Sequence, residues 1–348
     1  MSHTAVAPVA TSTPFAERGP LSDAVLRLLT RAHEDRDPIA LAQHAVANSP
    51  DVIRDDDIQL TLFALYGSAY GASEQFAAEL EWDPQLITAR RILEESFERA
   101  LRAAVPAPEL PDPDRDAVSR ALFALTKPGP GPSLSRHIAK KATLEQAREF
   151  LVQRSVYTLR EADPHSWAIP RLHGRAKAAL VEIQADEYGG GRADRMHAAI
   201  FAATMRGAGL DDSYGTYVDA VPALTLASHN MMSMFGVNRR LLGAIVGHLA
   251  AFEMTSSIPS RMYADGFRRL GFGEDVTDYF DEHVEADAVH EQIAGRDLAG
   301  GLAEDRPDLL GDIMFGAAAC MTVDGWVEEH VLDAWDKGGS SLRAGATL

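Results

Sequence analysis

The chain has 348 residues, enough at about 150 per domain for two domains, each able to close a hydrophobic core without a disulfide staple. Thirty-three Lys and Arg against 51 Asp and Glu give a formal charge of −18, which excludes the basic footprint of a nonspecific grip on nucleic acid or anionic lipid. The single cysteine, Cys320, rules out an intrachain disulfide and a thiolate metal cluster and fits a reducing, cytoplasmic setting.

The opening stretch, MSHTAVAPVATSTPFAERGP, has neither a cationic n-region nor a continuous apolar h-region, so residues 1–20 read as a disordered lead rather than a signal peptide. Apolar residues then recur at steps of three and four, β-branched runs are scarce, and the whole chain reads as all-α. Helical windows run from about Leu21 to Ala104, with Asp23, Asp37 and Asp57 as N-terminal signals. Four prolines in VPAPELPDPD (105–114) and the run KPGPGPS (127–133) break the pattern. They divide a helical accessory part, residues 21–114, from a larger bundle, residues 115–340, in which long helices alternate with Gly and Pro punctuation. The apolar stretch 220–238 contains Pro222, His229 and Asn230, which marks it as a buried helix and not a membrane span.

The chemistry-bearing residues lie in the bundle. In YFDEHVEADAVHEQIA (279–294), His283, Asp287 and His290 fall within about 60° of one another around a helix, on one narrow face. The two histidines are about 10 Å apart along the axis, too far for both to reach one ion easily, but suited to two adjacent ions with Asp287 between them. A solvated acidic helix is the alternative, since Glu282, Glu285 and Glu291 lie here too. In VEIQADEYGGGRADRMHAAIF (181–201), a break at Gly189–Gly191 would let Glu187 and His197 converge from two segments, while a lone core histidine is the plainer reading of His197. Glu182 reads equally as a surface carboxylate facing Arg175 and Lys177 and is left outside the site.

Glu253 projects from the apolar stripe of GAIVGHLAAFEMTSS (243–257), where a buried carboxylate needs a metal, a proton or an arginine such as Arg261. His248, about 140° around that helix, reads as structural. Glu161 closes the window TLEQAREFLVQRSVYTLREAD, and by itself attracts no notice. Met231, Met232, Met234 and Phe235 read as core packing. Carboxylates and imidazoles without thiolates suit iron or manganese held in a helical bundle. The Glu-x-x-His pairs of the ferritin plan are absent, as are HExxH, the P-loop, G-x-S-x-G and G-x-G-x-x-G.

On these residues the chain resembles the heme-oxygenase-like diiron oxidases and oxygenases, the iron-containing redox enzymes, over roughly Ser135–Trp335. The family's pattern of a Glu, a following His, a mid-chain Glu and a late His-x3-Asp-x2-His is matched by Glu187, His197, Glu253, His283, Asp287 and His290. N-oxygenating members carry one further carboxylate on an early core helix, and Glu161 stands at the corresponding distance, on spacing alone. The resemblance implies a heme-oxygenase-like helical bundle, those seven residues as metal ligands, and two Fe(II) ions that react with O2 and are returned to the ferrous state by an external electron donor or reductase. It implies oxidation of the amine nitrogen of a small amino-heterocycle or arylamine to the hydroxylamine, nitroso or nitro level, as in a relative that converts 2-aminoimidazole to the nitroimidazole. The N-terminal part is similar to an accessory helical domain that supports dimerisation in an N-nitrosating member, which implies a homodimer. That member's C-terminal cupin has no counterpart after Trp335, which argues against full N-nitrosation. Two alternatives stay open at this level: oxidative C–C cleavage, decarboxylation or desaturation of a fatty acid or amino acid by the same cofactor, and a metal-free helical binding protein.

Overall fold

The computed structural model of the chain describes residues 14–32, 34–129 and 131–346, with the side chains of 285–288 outside the described residues. Helices account for the regular structure, and no strand occurs among the described residues. Two compact units divide between Glu98 and Arg99.

The first unit contains α1 (Pro20–Leu29), α2 (Pro38–Asn48), α3 (Asp56–Tyr70) and most of α4 (Pro84–Ala104). Asp37 caps α2 by accepting the Ile39 N–H, as its sequence position suggests. Asp57 acts differently: Asp55 caps α3, while the Asp57 carboxylate accepts the Leu21 and Ser22 N–H groups at 3.0 and 2.6 Å and so caps α1 across the helix pair. Asp23 lies in the first turn of α1, where a negative charge favours the helix dipole. Residues 1–13 of the expected lead lie outside the described residues, whereas Phe15 is buried edge-on against Phe63 and Phe76. Helix α4 runs unbroken to Ala104, so the division falls inside it and ahead of the prolines at 105–114.

The second unit continues with α5 (Arg115–Leu125), α6 (Leu134–Lys140), α7 (Leu144–Thr158), α8 (Asp163–Ser166), α9 (Gly174–Glu187), α10 (His197–Gly207), α11 (Ala223–Val237), α12 (Leu242–Met254), α13 (Ser257–Arg269), α14 (Glu274–Gln292), α15 (Gly301–Asp305) and α16 (Leu310–Asp336). Between α14 and α15 the backbone widens into a π-helical stretch, Ile293–Gly300, a departure found often beside functional sites. Helix α14 packs on α10, α12 and α13, and α12 runs along α16. That last crossing is set by glycine: a Cβ on Gly247 would stand 1.8 Å from the Ile313 carbonyl oxygen, and one on Gly316 2.0 Å from that of Ala244. The stretch 220–238 forms the buried α11, and among the described residues no single helix is long and apolar enough to cross a membrane.

Candidate metal centre

Four helices and one turn bring six of the expected residues to one buried place. Helix α9 ends at Glu187, a turn through Gly189–Gly191 reverses the chain with all three glycines at positive φ, and α10 opens on His197. The predicted break is therefore present, and it places the Glu187 Oε2 3.1 Å from His197 Nδ1. Glu253 comes from the last turn of the apolar α12, His283 and His290 from one face of α14, and Glu161 from the turn after α7. The turn is shaped by Ala162 at φ 74°, a left-handed conformation costly for a residue with a Cβ. Its N–H donates to the Tyr157 hydroxyl at 3.3 Å and its carbonyl accepts from Gln184 Nε2 at 2.9 Å.

The ligand atoms form two groups. One oxygen or nitrogen from each of Glu161, Glu187, His197 and His283 lies within 4.8 Å of the others, and so does one from each of Glu187, Glu253 and His290. Glu187 belongs to both. All six side chains are buried. The Asp287 side chain lies outside the described residues.

Hydrogen bonds aim the imidazoles. His283 Nδ1 is 2.7 Å from the Tyr279 carbonyl, which can only accept, so the proton sits on Nδ1 and the Nε2 lone pair faces Glu161 Oε1 at 3.7 Å. His290 Nε2 is 3.0 Å from Asp186 Oδ2, which turns Nδ1 toward Glu253 Oε2 at 3.4 Å. The Tyr279 hydroxyl donates to Glu161, 2.8 Å from both carboxylate oxygens, and its ring is held edge-on against Phe201. Burial works against ionised Glu161, but His283, His197 and Arg154 outweigh it and hold its carboxyl below the usual range. Burial likewise opposes charge on His290, but Glu253, Asp186 and Glu187 outweigh it and hold its pKa up to about 9.

The arrangement fits a metal. Three buried carboxylates crowd together and require positive charge. The buried Nδ1 of His197 makes no hydrogen bond, and a void of about 10 Å3, room for one small occupant, opens between Glu161, Glu187, Glu253 and His283. Oxygen and imidazole donors without sulfur suit iron or manganese, and a carboxylate shared by two groups suits a pair of ions.

The residues set aside in the sequence stay outside the site. Glu182 and Arg261 are exposed, and the Met231–Phe235 segment is core. His248 is buried 3.2 Å from His165 and stacked on Phe252. Sequence reasoning missed the orienting partners Tyr279 and Asp186. Both sit within stretches already singled out. Tyr279 is four residues before His283 and shares its helix face, a spacing that could have revealed it, whereas nothing local ties Asp186 to His290, 104 positions away.

Residues 148–325, half of the chain and a span within which the seven expected ligand positions fall, match the family of the iron-containing redox enzymes. Over 172 residues the chain is 31% identical to nitrosourea synthase of Streptomyces achromogenes subsp. streptozoticus, a stretch that covers 49% of this chain and 36% of that protein. The match thus spans about a third of the relative's length.

Proposed function

The chain belongs to the iron-containing redox enzyme family, a group of oxidoreductases with the heme-oxygenase-like all-α fold, and on that premise we propose that it is a diiron N-oxygenase acting on the amine nitrogen of a small amino-heterocycle or arylamine. The observation that carries the reading is Glu187, one carboxylate common to two buried ligand groups. Glu161, Glu187, His197 and His283 would hold one iron, and Glu187, Glu253 and His290 the other, with Asp287, expected from its sequence position between His283 and His290, as a further ligand. Support for nitrogen as the atom oxidised comes from the relative: nitrosourea synthase is named for a product with a nitrogen–oxygen bond.

When bound, two ferrous ions supply the electrons that activate O2 for oxygen transfer, and an external donor restores them. The protein's own residues set the conditions. Tyr279 locks His283 in the tautomer that presents its Nε2 lone pair inward, and Asp186 turns His290 Nδ1 inward, where a metal would take the place of the proton shared with Glu253. Tyr279 also donates to Glu161, 2.8 Å from both carboxylate oxygens, and so fixes where that carboxylate sits in the site. The apolar, buried α12 lowers the local dielectric around Glu253, which strengthens its charge interactions. A cytoplasmic homodimer formed through the first unit completes the reading, in keeping with the reducing setting inferred from the single cysteine.

The test is anaerobic loading with Fe(II), counting iron per chain, followed by exposure to 18O2 with a reductant and a panel of amines. Two irons per chain and a product carrying 18O on nitrogen are expected. Fewer than one iron per chain, or label appearing only in carbonyl or carboxylate products, would overturn the reading.

A further inference from the structure

A cavity of about 660 Å3, the size of a small-molecule site, reaches the candidate metal centre at Glu161 and His283. Its wall holds two cations outside the ligand groups, Arg136, which donates to the Gly131 carbonyl, and Arg154. Arg154, on α7, points its guanidinium among Tyr279, Tyr263, Glu161 and Asp324, yet its buried Nε makes no hydrogen bond, and among the described residues it forms no ion pair.

The neighbouring carboxylates are otherwise engaged. Glu161 takes the Tyr279 hydroxyl on both oxygens and faces His283. Asp324 accepts from Ser228 Oγ at 2.7 Å and from the Cys320 thiol at 3.7 Å. A guanidinium fork facing a cavity without a bonded anion is costly to bury, and its five donors match a carboxylate in bidentate fashion.

We propose that Arg154 binds a carboxylate of the substrate, so that the molecule oxidised is an amine that also carries a carboxylate. Opposite charge in the cavity supports this class over other anions. Asp324 and Glu328, one helical turn apart on α16, line the same space and favour the cationic or hydrogen-bonding part of a zwitterion. They disfavour a dianionic phosphate, while apolar side chains such as Phe150, Met232, Phe252 and Met262 fit the carbon skeleton between the two charged ends. The amine half of this assignment rests on the N-oxygenase reading; the carboxylate half does not.

The test measures binding to the full-length, metal-free chain by calorimetry and thermal shift, with matched pairs that differ in the carboxylate: 4-aminobenzoate against aniline, and L-arginine against agmatine. Inorganic phosphate and dodecanoate form two further arms. In the wild type, a carboxylate-bearing amine is expected to bind at least about tenfold tighter than its partner, with no stabilisation by phosphate or dodecanoate. Arg154→Gln should abolish that preference, and Arg154→Lys should retain part of it, with helicity by circular dichroism unchanged. Equal binding within the pairs, binding of none of the carboxylate-bearing amines, tighter binding of phosphate or dodecanoate, or a preference that survives in Arg154→Gln would overturn the assignment. If Arg154→Gln does not fold, the wild-type pairs decide alone. Carboxylate-bearing amines that bind with the expected preference yet give no labelled N–O product would sink the N-oxygenase reading and leave Arg154 in place. Labelled N–O product formed equally from amines without a carboxylate would do the reverse.

Discussion

Glu187 Oε2 stands 3.1 Å from His197 Nδ1 across three glycines that end one helix before the next begins. The same carboxylate reaches the group formed with Glu253 and His290. A change at Glu187 is therefore unlike a change at any other member of the site. Glu187→Gln should lose both metal ions, whereas Glu253→Gln should lose only the one shared with His290. Metal content after loading with Fe(II) or Mn(II) and desalting checks this; retention of one ion in Glu187→Gln would show that the carboxylate is not shared.

Tyr279 supports the centre through two separate atoms. Tyr279→Phe removes the hydroxyl bond to Glu161 but keeps the backbone carbonyl that orients His283. Outer partners of this kind typically contribute about 10- to 100-fold in metal affinity. The variant should fold as the wild type, bind Fe(II) about tenfold more weakly, and show the loss in the group containing Glu161. Unchanged affinity in an anaerobic titration would assign the hydroxyl a purely packing role.

Beside the centre, burial pushes the His165 imidazole down to about 3, and burial with the neighbouring His165 pushes His248 well below its usual value. Both rings are neutral in the folded protein, while in the unfolded chain they take up protons near 6.5. The folded-state pKa values are thus depressed for basic groups, and the unfolded state binds more protons below about pH 6.5. Stability contributed by this pair is fully present above that pH and is lost progressively as pH falls toward 3. Thermal unfolding of the metal-free protein should show a melting temperature that declines from pH 7 to pH 4. A His165→Phe, His248→Phe double variant, which removes both polar partners together, should show a shallower decline. Equal slopes would place the acid sensitivity elsewhere.

Gly247 links the fold to the site. Its missing side chain lets α12 lie against the Ile313 carbonyl, and α12 carries Glu253 about 1.7 turns further on. Gly247→Ala forces a contact that backbone movement alone can relieve, and overpacking of this kind costs about 1–3 kcal/mol. A lowered melting temperature is expected together with loss of the ion proposed for Glu253 and His290, even though residue 247 is not among the proposed ligands. A stable variant with full metal content would show that the crossing yields without moving Glu253.

The sequence alone determined what is local. Apolar spacing specified helices, the Gly189–Gly191 run marked the break between Glu187 and His197, and the steps of four and three placed His283, Asp287 and His290 on one face. Those features repeat within a few residues, so a periodic pattern reveals them. Asp57 shows the limit even at short range, since its position before a helical window suggested a cap for α3, while the packed helix pair assigns it to α1. Only the tertiary structure decided which carboxylate is shared, that Asp186 steers His290, that Tyr279 serves Glu161 and His283 together, and that Arg154 faces the cavity instead of an acidic partner. These relations join residues more than a hundred positions apart, 118 for Tyr279 and Glu161, and depend on helix crossings set by close backbone contact, as at Gly247 and Gly316, which no local period encodes.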